Sequence, residues 1–198
     1  MKKEMKNEFN KYSDNELILL IRENSKSAQS AFVELYDRYS SRVYAYCRKV
    51  MPTREGAEDL YQETFFRFYN KITTDYEIVN IIGYLITIAR NLCLNYQRDK
   101  KSFVSVEDIS PIDEYKSLSE VGEDNQIEEQ SQMVLMALDL LEPNEKEILL
   151  MKYYANMNYN EIAEVTGQSA NSMRVKIHRA KEKIRGLLIR DEKKTINR

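Results

Sequence analysis

Apolar residues recur at helical spacing along most of the chain, and small polar residues mark where each run begins. Ser13, with Glu16 three residues on, forms a capping box ahead of Leu17, Leu20 and Ile21, which predicts a short opening helix. A longer helix is expected from about Ser27, with Phe32, Leu35, Tyr36, Tyr39, Val43 and Val50 on one face, broken by Pro52. Thr53 is placed to cap the next helix, whose apolar stripe is Ala57, Leu60, Tyr61, Phe65, Phe68 and Ile72. After Thr73, Thr74 and Asp75 a further helix is expected to turn Tyr84, Leu85, Ile88, Ala89, Leu92 and Tyr96 inward. It ends in the basic run Arg98 to Lys101.

Periodicity then fades. Residues 102–124 are rich in Ser and acidic residues and carry Pro111 and Gly122, so they read as a linker. Helical spacing resumes near Asn125 with Ile127, Val134, Leu135, Leu138 and Leu141. A helix opened by Pro143 is expected to bury Ile148, Leu149, Met151 or the stem of Lys152, and Tyr153.

The segment Tyr159 to Leu188 has a distinctive grammar. Asn158 and Glu161 make a capping pair for a short helix, and Gly167 supplies the positive-φ residue that ends it. Ser169 can cap a second, longer helix from Ala170. Its apolar positions Met173, Ile177, Ala180, Ile184, Leu187 and Leu188 alternate with Arg174, Lys176, His178, Arg179, Lys181, Lys183 and Arg185. A short helix, a glycine turn and a basic amphipathic helix form a helix-turn-helix, an element that places side chains in a DNA major groove.

Composition agrees with an all-α fold. The 198 residues include only 5 Gly and 3 Pro, little material for hairpins, and Leu, Ile, Glu, Lys, Arg, Met and Ala dominate the periodic segments. The expected architecture is two small helical domains, residues 13–101 and 125–190, joined by the acidic linker 102–124. The formal net charge of -2 looks wrong for a DNA binder, but the charge is segregated. Lys and Arg crowd the segment from Met173 onward. Glu107, Asp108, Asp113, Glu114, Glu120, Glu123, Asp124, Glu128 and Glu129 crowd the middle, and a phosphate backbone responds to local field.

The 2 cysteines, Cys47 and Cys93, lie in apolar-periodic segments without CxxC spacing and read as core thiols. With His178 as the single histidine, a zinc site would lack ligands, so no metal or cofactor is expected. No glycine-rich phosphate loop and no nucleophile–base set supports an enzyme. Neither a signal core nor a bilayer-length apolar stretch is visible, so the expected location is the cytoplasm, with no membrane insertion.

Three stretches of the first block, AFVELYDRYSSRVYAYC, AEDLYQETFFRFY and GYLITIARNLCLNYQRDKK, resemble the second conserved region of bacterial RNA polymerase sigma factors. LEPNEKEILLMKYYANMNYNEIAEVTG followed by SMRVKIHRAKEKIR resembles their fourth. Two such regions with only a short linker between them mark the extracytoplasmic-function type.

The resemblance implies a non-enzymatic initiation factor with core RNA polymerase and promoter DNA as partners. It assigns Asp59, Gln62 and Glu63 to the polymerase's large-subunit coiled coil. It assigns Tyr76, Tyr84, Arg90, Asn91, Arg98, Lys100 and Lys101 to the minus-ten element, where extruded bases need aromatic or polar pockets. Tyr84 stands where the family usually has tryptophan, and Asn95 replaces a common aspartate; packing of Tyr84 in the core is the alternative. Asn171, Ser172, Arg174, Val175, His178 and Arg179 would read the minus-thirty-five element, with Lys176 and Lys181 on phosphates. Family members are often held by an anti-sigma partner; the residues leave open whether one acts here. A stand-alone dimeric regulator and a helical interaction protein without DNA contact are the competing readings.

Overall fold

The capping residues do what their spacing predicts. Glu16 accepts from the Ser13 backbone N–H at 2.6 Å while Ser13 Oγ accepts from Glu16 N, and helix α1 (Asp14–Arg22) follows. The full carboxylate–amide exchange holds the Glu16 pKa below the usual carboxylate range, the Ser13 backbone bond contributing most and its hydroxyl next. A 3₁₀ turn at Phe9–Lys11 precedes it. Helix α2 (Ala28–Val50) starts after Ser27 and stops ahead of Pro52. Helix α3 (Arg54–Ile72) is capped by Thr53, whose Oγ1 accepts from Gly56 N at 3.1 Å. Helix α4 (Ile81–Phe103) completes the first unit.

A computed structural model describes residues 9–23, 26–74, 78–103 and 137–196. Among these all regular structure is helical. The chain forms two compact units, divided between Ile109 and Ser110. In the first, α2 packs on α1, α3 and α4, and α3 packs on α4. Leu17 and Ile21, Leu35, Val43 and Cys47, Phe68 and Ile72, and Leu85, Ile86 and Ala89 form its centre. Each large apolar side chain buried here contributes about 1.5–3 kcal/mol against the entropy of ordering.

The helix expected after Thr73–Asp75 is α4, which begins at Ile81, where Asn80 Oδ1 accepts from Gly83 N at 2.9 Å and fixes the first turn. One expectation for this unit needs correction: the inward face of α4 is rotated. Leu85, Ala89 and Cys93 are buried as expected, but Ile82 and Ile86 are buried too, whereas Ile88 and Leu92 are half-buried and Tyr96 is exposed. A helix wedged between α2 and α3 is covered on two sides, so its apolar stripe is wider and displaced from the single seam that spacing suggests.

The second unit holds α5 (Pro143–Tyr153), α6 (Tyr159–Thr166) and α7 (Ala170–Ile196), each packed on the other two. Pro143 occupies the first turn of α5. Asn158 Oδ1 accepts from the N–H groups of Asn160 and Glu161 at 2.9 and 3.0 Å, and Glu161 returns its carboxylate to the Asn158 N–H at 2.7 Å. Gly167 ends α6 at φ 67°, and Ser169 Oγ accepts from Ser172 N at 3.1 Å to open α7. Ile148 to Met151, Met157, Ile162, Met173, Ile177 and Ala180 form the core. Leu138 and Leu141 are buried with them, while Ile127, Val134 and Leu135 lie outside the described residues, as does the expected acidic linker.

Tyr153 is a further correction. Instead of entering the core, its side chain is 53 % exposed. The consecutive buried residues Ile148 to Met151 already fill the inner side of α5, and Tyr153 is left on the outside.

Candidate nucleic-acid and polymerase interfaces

On α7 the burial pattern separates scaffold from surface. Met173, Ile177 and Ala180 are buried at the spacing of one helix face, which fixes the rotation of the helix. Asn171, Arg174, Val175, Lys176, His178, Arg179 and Lys181 are therefore exposed, and Ser172 is half-buried. The outward face is basic over several turns.

The cations on this face are held in different ways. Lys183 donates to both carboxylate oxygens of Glu145 at 2.6 and 2.8 Å, tying α7 to α5. Arg185 pairs with Glu182 at 2.6 Å. Lys176 donates to Gln168 in the turn. Arg174, by contrast, lies with Cζ 5.3 Å from the centre of the Tyr159 ring, and Lys181 Nζ lies 5.7 Å from that of Tyr153. Among the described residues neither Arg174 nor Arg179 pairs with a carboxylate. The positive charge facing outward is thus concentrated toward the start of α7, where the helix-turn-helix geometry brings side chains to base edges.

Beneath this face Lys152 spans the turn between α5 and α6. Its Nζ donates to the Met157 carbonyl at 3.0 Å and stands 4.9 Å from the Tyr159 ring centre. Thr166 Oγ1 donates to Ile162 O at 2.8 Å and approaches Met173 Sδ at 3.6 Å, seating α7 against α6. Sequence spacing offered no sign of the roles of Tyr159 and Tyr153, since each depends on a residue from another helix.

In the first unit, Asp59 and Gln62 are exposed on α3 and Glu63 is half-buried, all on one face. Glu63 accepts from Arg67 Nε at 2.6 Å. Phe66 continues the same face one turn on and is 62 % exposed. Its outward position was readable, because the phenylalanines flanking it, Phe65 and Phe68, fit the inward stripe and leave it facing away.

Tyr84 ends a series of aromatic contacts. Tyr44 meets Tyr61 with ring centres 5.5 Å apart, Tyr61 meets Phe65 at 5.2 Å, Phe65 meets Phe68 at 6.5 Å, and Phe68 meets Tyr84 at 6.4 Å. Tyr84 is half-buried, so part of its ring packs and part is open. On the same helix Arg90 is half-buried while Asn91 and Arg98 are exposed; Leu94 is exposed between Asn91 and Arg98. Tyr76 lies outside the described residues, as do the side chains of Lys100 and Lys101.

No described helix is long and apolar enough to cross a membrane. Residues 35–103 match Sigma-70 region 2, and residues 131–184 match Sigma-70, region 4. The chain is 28% identical over 179 residues to the ECF RNA polymerase sigma factor BldN of Streptomyces coelicolor, covering 89% of this chain and 67% of that protein. Its fold is similar to that of CnrH, solved in complex with the cytosolic domain of CnrY, with a TM-score of 0.62, 20% identity and coverage of 90% and 98% of the two chains. It is also similar to RpoE of Bartonella quintana, solved with the anti-sigma factor NepR, with a TM-score of 0.59, 19% identity and coverage of 79% and 96%. With both Sigma-70 regions present in order, each on its own helical unit, the chain belongs to the RNA polymerase sigma factors of the extracytoplasmic-function type, which are promoter-recognition factors of transcription initiation and not enzymes.

Proposed function

We propose that the three tasks of a sigma factor are divided between the two units at named surfaces. The face of α3 carrying Asp59, Gln62 and Glu63 docks on core RNA polymerase. Tyr84, Arg90, Asn91 and Arg98 along α4, with Tyr76, Lys100 and Lys101, bind the minus-ten element and hold the bases extruded from it. The start of α7, with Asn171, Ser172, Arg174, Val175, His178 and Arg179, reads the minus-thirty-five element in the major groove, while Lys176 and Lys181 contact phosphates. The domains that perform this are residues 13–101 and 125–190, strung on the linker 102–124.

One observation carries the reading. The residues of α7 assigned to DNA are exposed or half-buried, over a row of buried apolar residues that locks the helix rotation. A basic face of fixed orientation is what direct readout needs, since a bidentate arginine–guanine pair discriminates by about 1–3 kcal/mol only when its approach is fixed. Work in the cytoplasm, where core polymerase resides, follows from the same reading. The solved complex of RpoE with the anti-sigma factor NepR supports a further element: an anti-sigma partner that holds this chain until it is released.

Run-off transcription with purified core polymerase on genomic fragments tests the division. The expected result is new, mapped start sites that depend on this chain, together with weak duplex binding by the chain alone. Strong sequence-specific gel shifts without polymerase would favour a stand-alone regulator. Assembly with polymerase that leaves the start sites unchanged would overturn the reading.

A further inference from the structure

Resting on the reading of α7 as the minus-thirty-five reader, we infer that Tyr159 is a positioning residue for Arg174. Tyr159 is the first residue of α6, and the reciprocal Asn158–Glu161 cap fixes the backbone from which its ring projects. The ring is half-buried, and the Arg174 guanidinium lies 5.3 Å from its centre. Arg174 belongs to the following helix, so the contact spans the two arms of the helix-turn-helix.

The chemistry of the contact matters more than its strength. A carboxylate partner would engage the N–H edge of the guanidinium, the same edge that a guanine or a phosphate must accept from. An aromatic ring attracts the charge through its π-face and leaves the in-plane donors unused. Among the described residues no carboxylate pairs with Arg174. The side chain is thus restrained in advance while its donors stay open, which lowers the ordering cost of binding.

Lys152 sharpens the arrangement. Its ammonium shares the Tyr159 ring at 4.9 Å but is tethered to the Met157 carbonyl at 3.0 Å. Arg174 is the exposed cation on that ring, with no such tether among the described residues. The device recurs two turns along α7, where Lys181 rests on the exposed ring of Tyr153.

The test uses the full chain assembled with core polymerase, on a promoter mapped by run-off transcription and on versions of it altered base by base in the minus-thirty-five element. Tyr159→Phe should behave as the parent, because the ring face is kept. Tyr159→Leu should weaken promoter-dependent initiation about three- to tenfold, as expected for loss of a cation–π contact and of preorganisation. It should also relax discrimination at the base pair where Arg174→Ala relaxes it, and have no further effect in an Arg174→Ala background. In the chain alone, the Arg174 side-chain protons should show a ring-current shift that survives Tyr159→Phe and vanishes in Tyr159→Leu; this readout does not depend on transcription.

Loss in Tyr159→Phe equal to that in Tyr159→Leu would assign the effect to the hydroxyl and overturn the inference. An undiminished Tyr159→Leu effect in the Arg174→Ala background would make Tyr159 a scaffold residue and overturn it as well. Absence of the ring-current shift would do the same while leaving the reading of α7 intact. If Arg174→Ala itself left minus-thirty-five discrimination unchanged, the reading of α7 would fail first and the inference with it.

Discussion

Arg38 on α2 grips Asp14, the first residue of α1, with Nη1 2.7 Å from Oδ1. The same guanidinium donates from Nε to Glu34 Oε1 at 2.9 Å and from Nη2 to the Tyr12 carbonyl at 2.9 Å, with longer contacts to Phe9 and Asn10. Tyr39 donates its hydroxyl to the other oxygen of Asp14. One side chain therefore joins the 3₁₀ turn and residues leading into α1, α1 itself and α2. Arg38→Met would leave Glu34, only 8 % exposed, without its counter-charge. Partial exposure of Asp14 and Arg38 softens the loss, so the expected destabilisation of the first unit is about 1–3 kcal/mol, read as a shift in denaturant midpoint. Arg38→Lys should recover only part of it, since an ammonium cannot reproduce the fork.

The thiol of Cys47 is expected to be inert in the folded protein. Burial, with a smaller effect from Cys93, pushes its pKa up to about 12. The unfolded value is about 8.5, so the folded state holds this proton more tightly. Its contribution to stability is full below about pH 8.5 and is lost as pH rises through about 12. Labelling by a thiol reagent at neutral pH should be negligible until denaturant unfolds the first unit. Rapid stoichiometric labelling of native protein would contradict this.

Gly167→Ala isolates the backbone requirement of the turn. At φ 67° an L-residue is strained, while an added Cβ would meet nothing within 4 Å. The cost is therefore conformational, about 1 kcal/mol, with Gly167→Asn costing less because asparagine tolerates this region. Thermal melting of the full chain should show both effects and their order.

The local signals were the most legible. Ser13–Glu16, Thr53 and Asn158–Glu161 cap the helices where spacing placed them, and Gly167 adopts the left-handed turn, because each of these choices is settled within four residues. Burial of Met173, Ile177 and Ala180 was equally readable, since α7 is packed along one side and its period is undisturbed. Legibility falls where a neighbour decides. The inward face of α4 depends on two partners, so Ile82 and Ile86 went unnoticed and Tyr96 was misplaced. Tyr153 looked like core by hydrophobicity alone, yet α5 had no inner surface left for it. The contact of Arg174 with Tyr159 joins residues from two helices, which no one-dimensional pattern reports.

Docking on polymerase yields the last expectation. Asp59 and Gln62 project from α3 into solvent, and the Arg67 contact of Glu63 at 2.6 Å is a surface i,i+4 pair of the kind worth little. All three side chains can exchange their present surroundings for a partner at small cost. Phe66 beside them adds an exposed aromatic ring, a residue type that anchors interfaces once desolvated. Asp59→Ala combined with Gln62→Ala should therefore weaken binding to core polymerase by about tenfold or more, and Phe66→Ala should weaken it in the same direction. Arg174→Ala should leave core binding intact while weakening initiation at the cognate promoter by about tenfold or more. Co-elution with polymerase and run-off transcription, measured on the same preparations, separate the two effects. If the α3 double substitution co-elutes with polymerase as the parent does, this face is solvated surface and docking must be sought elsewhere on the first unit.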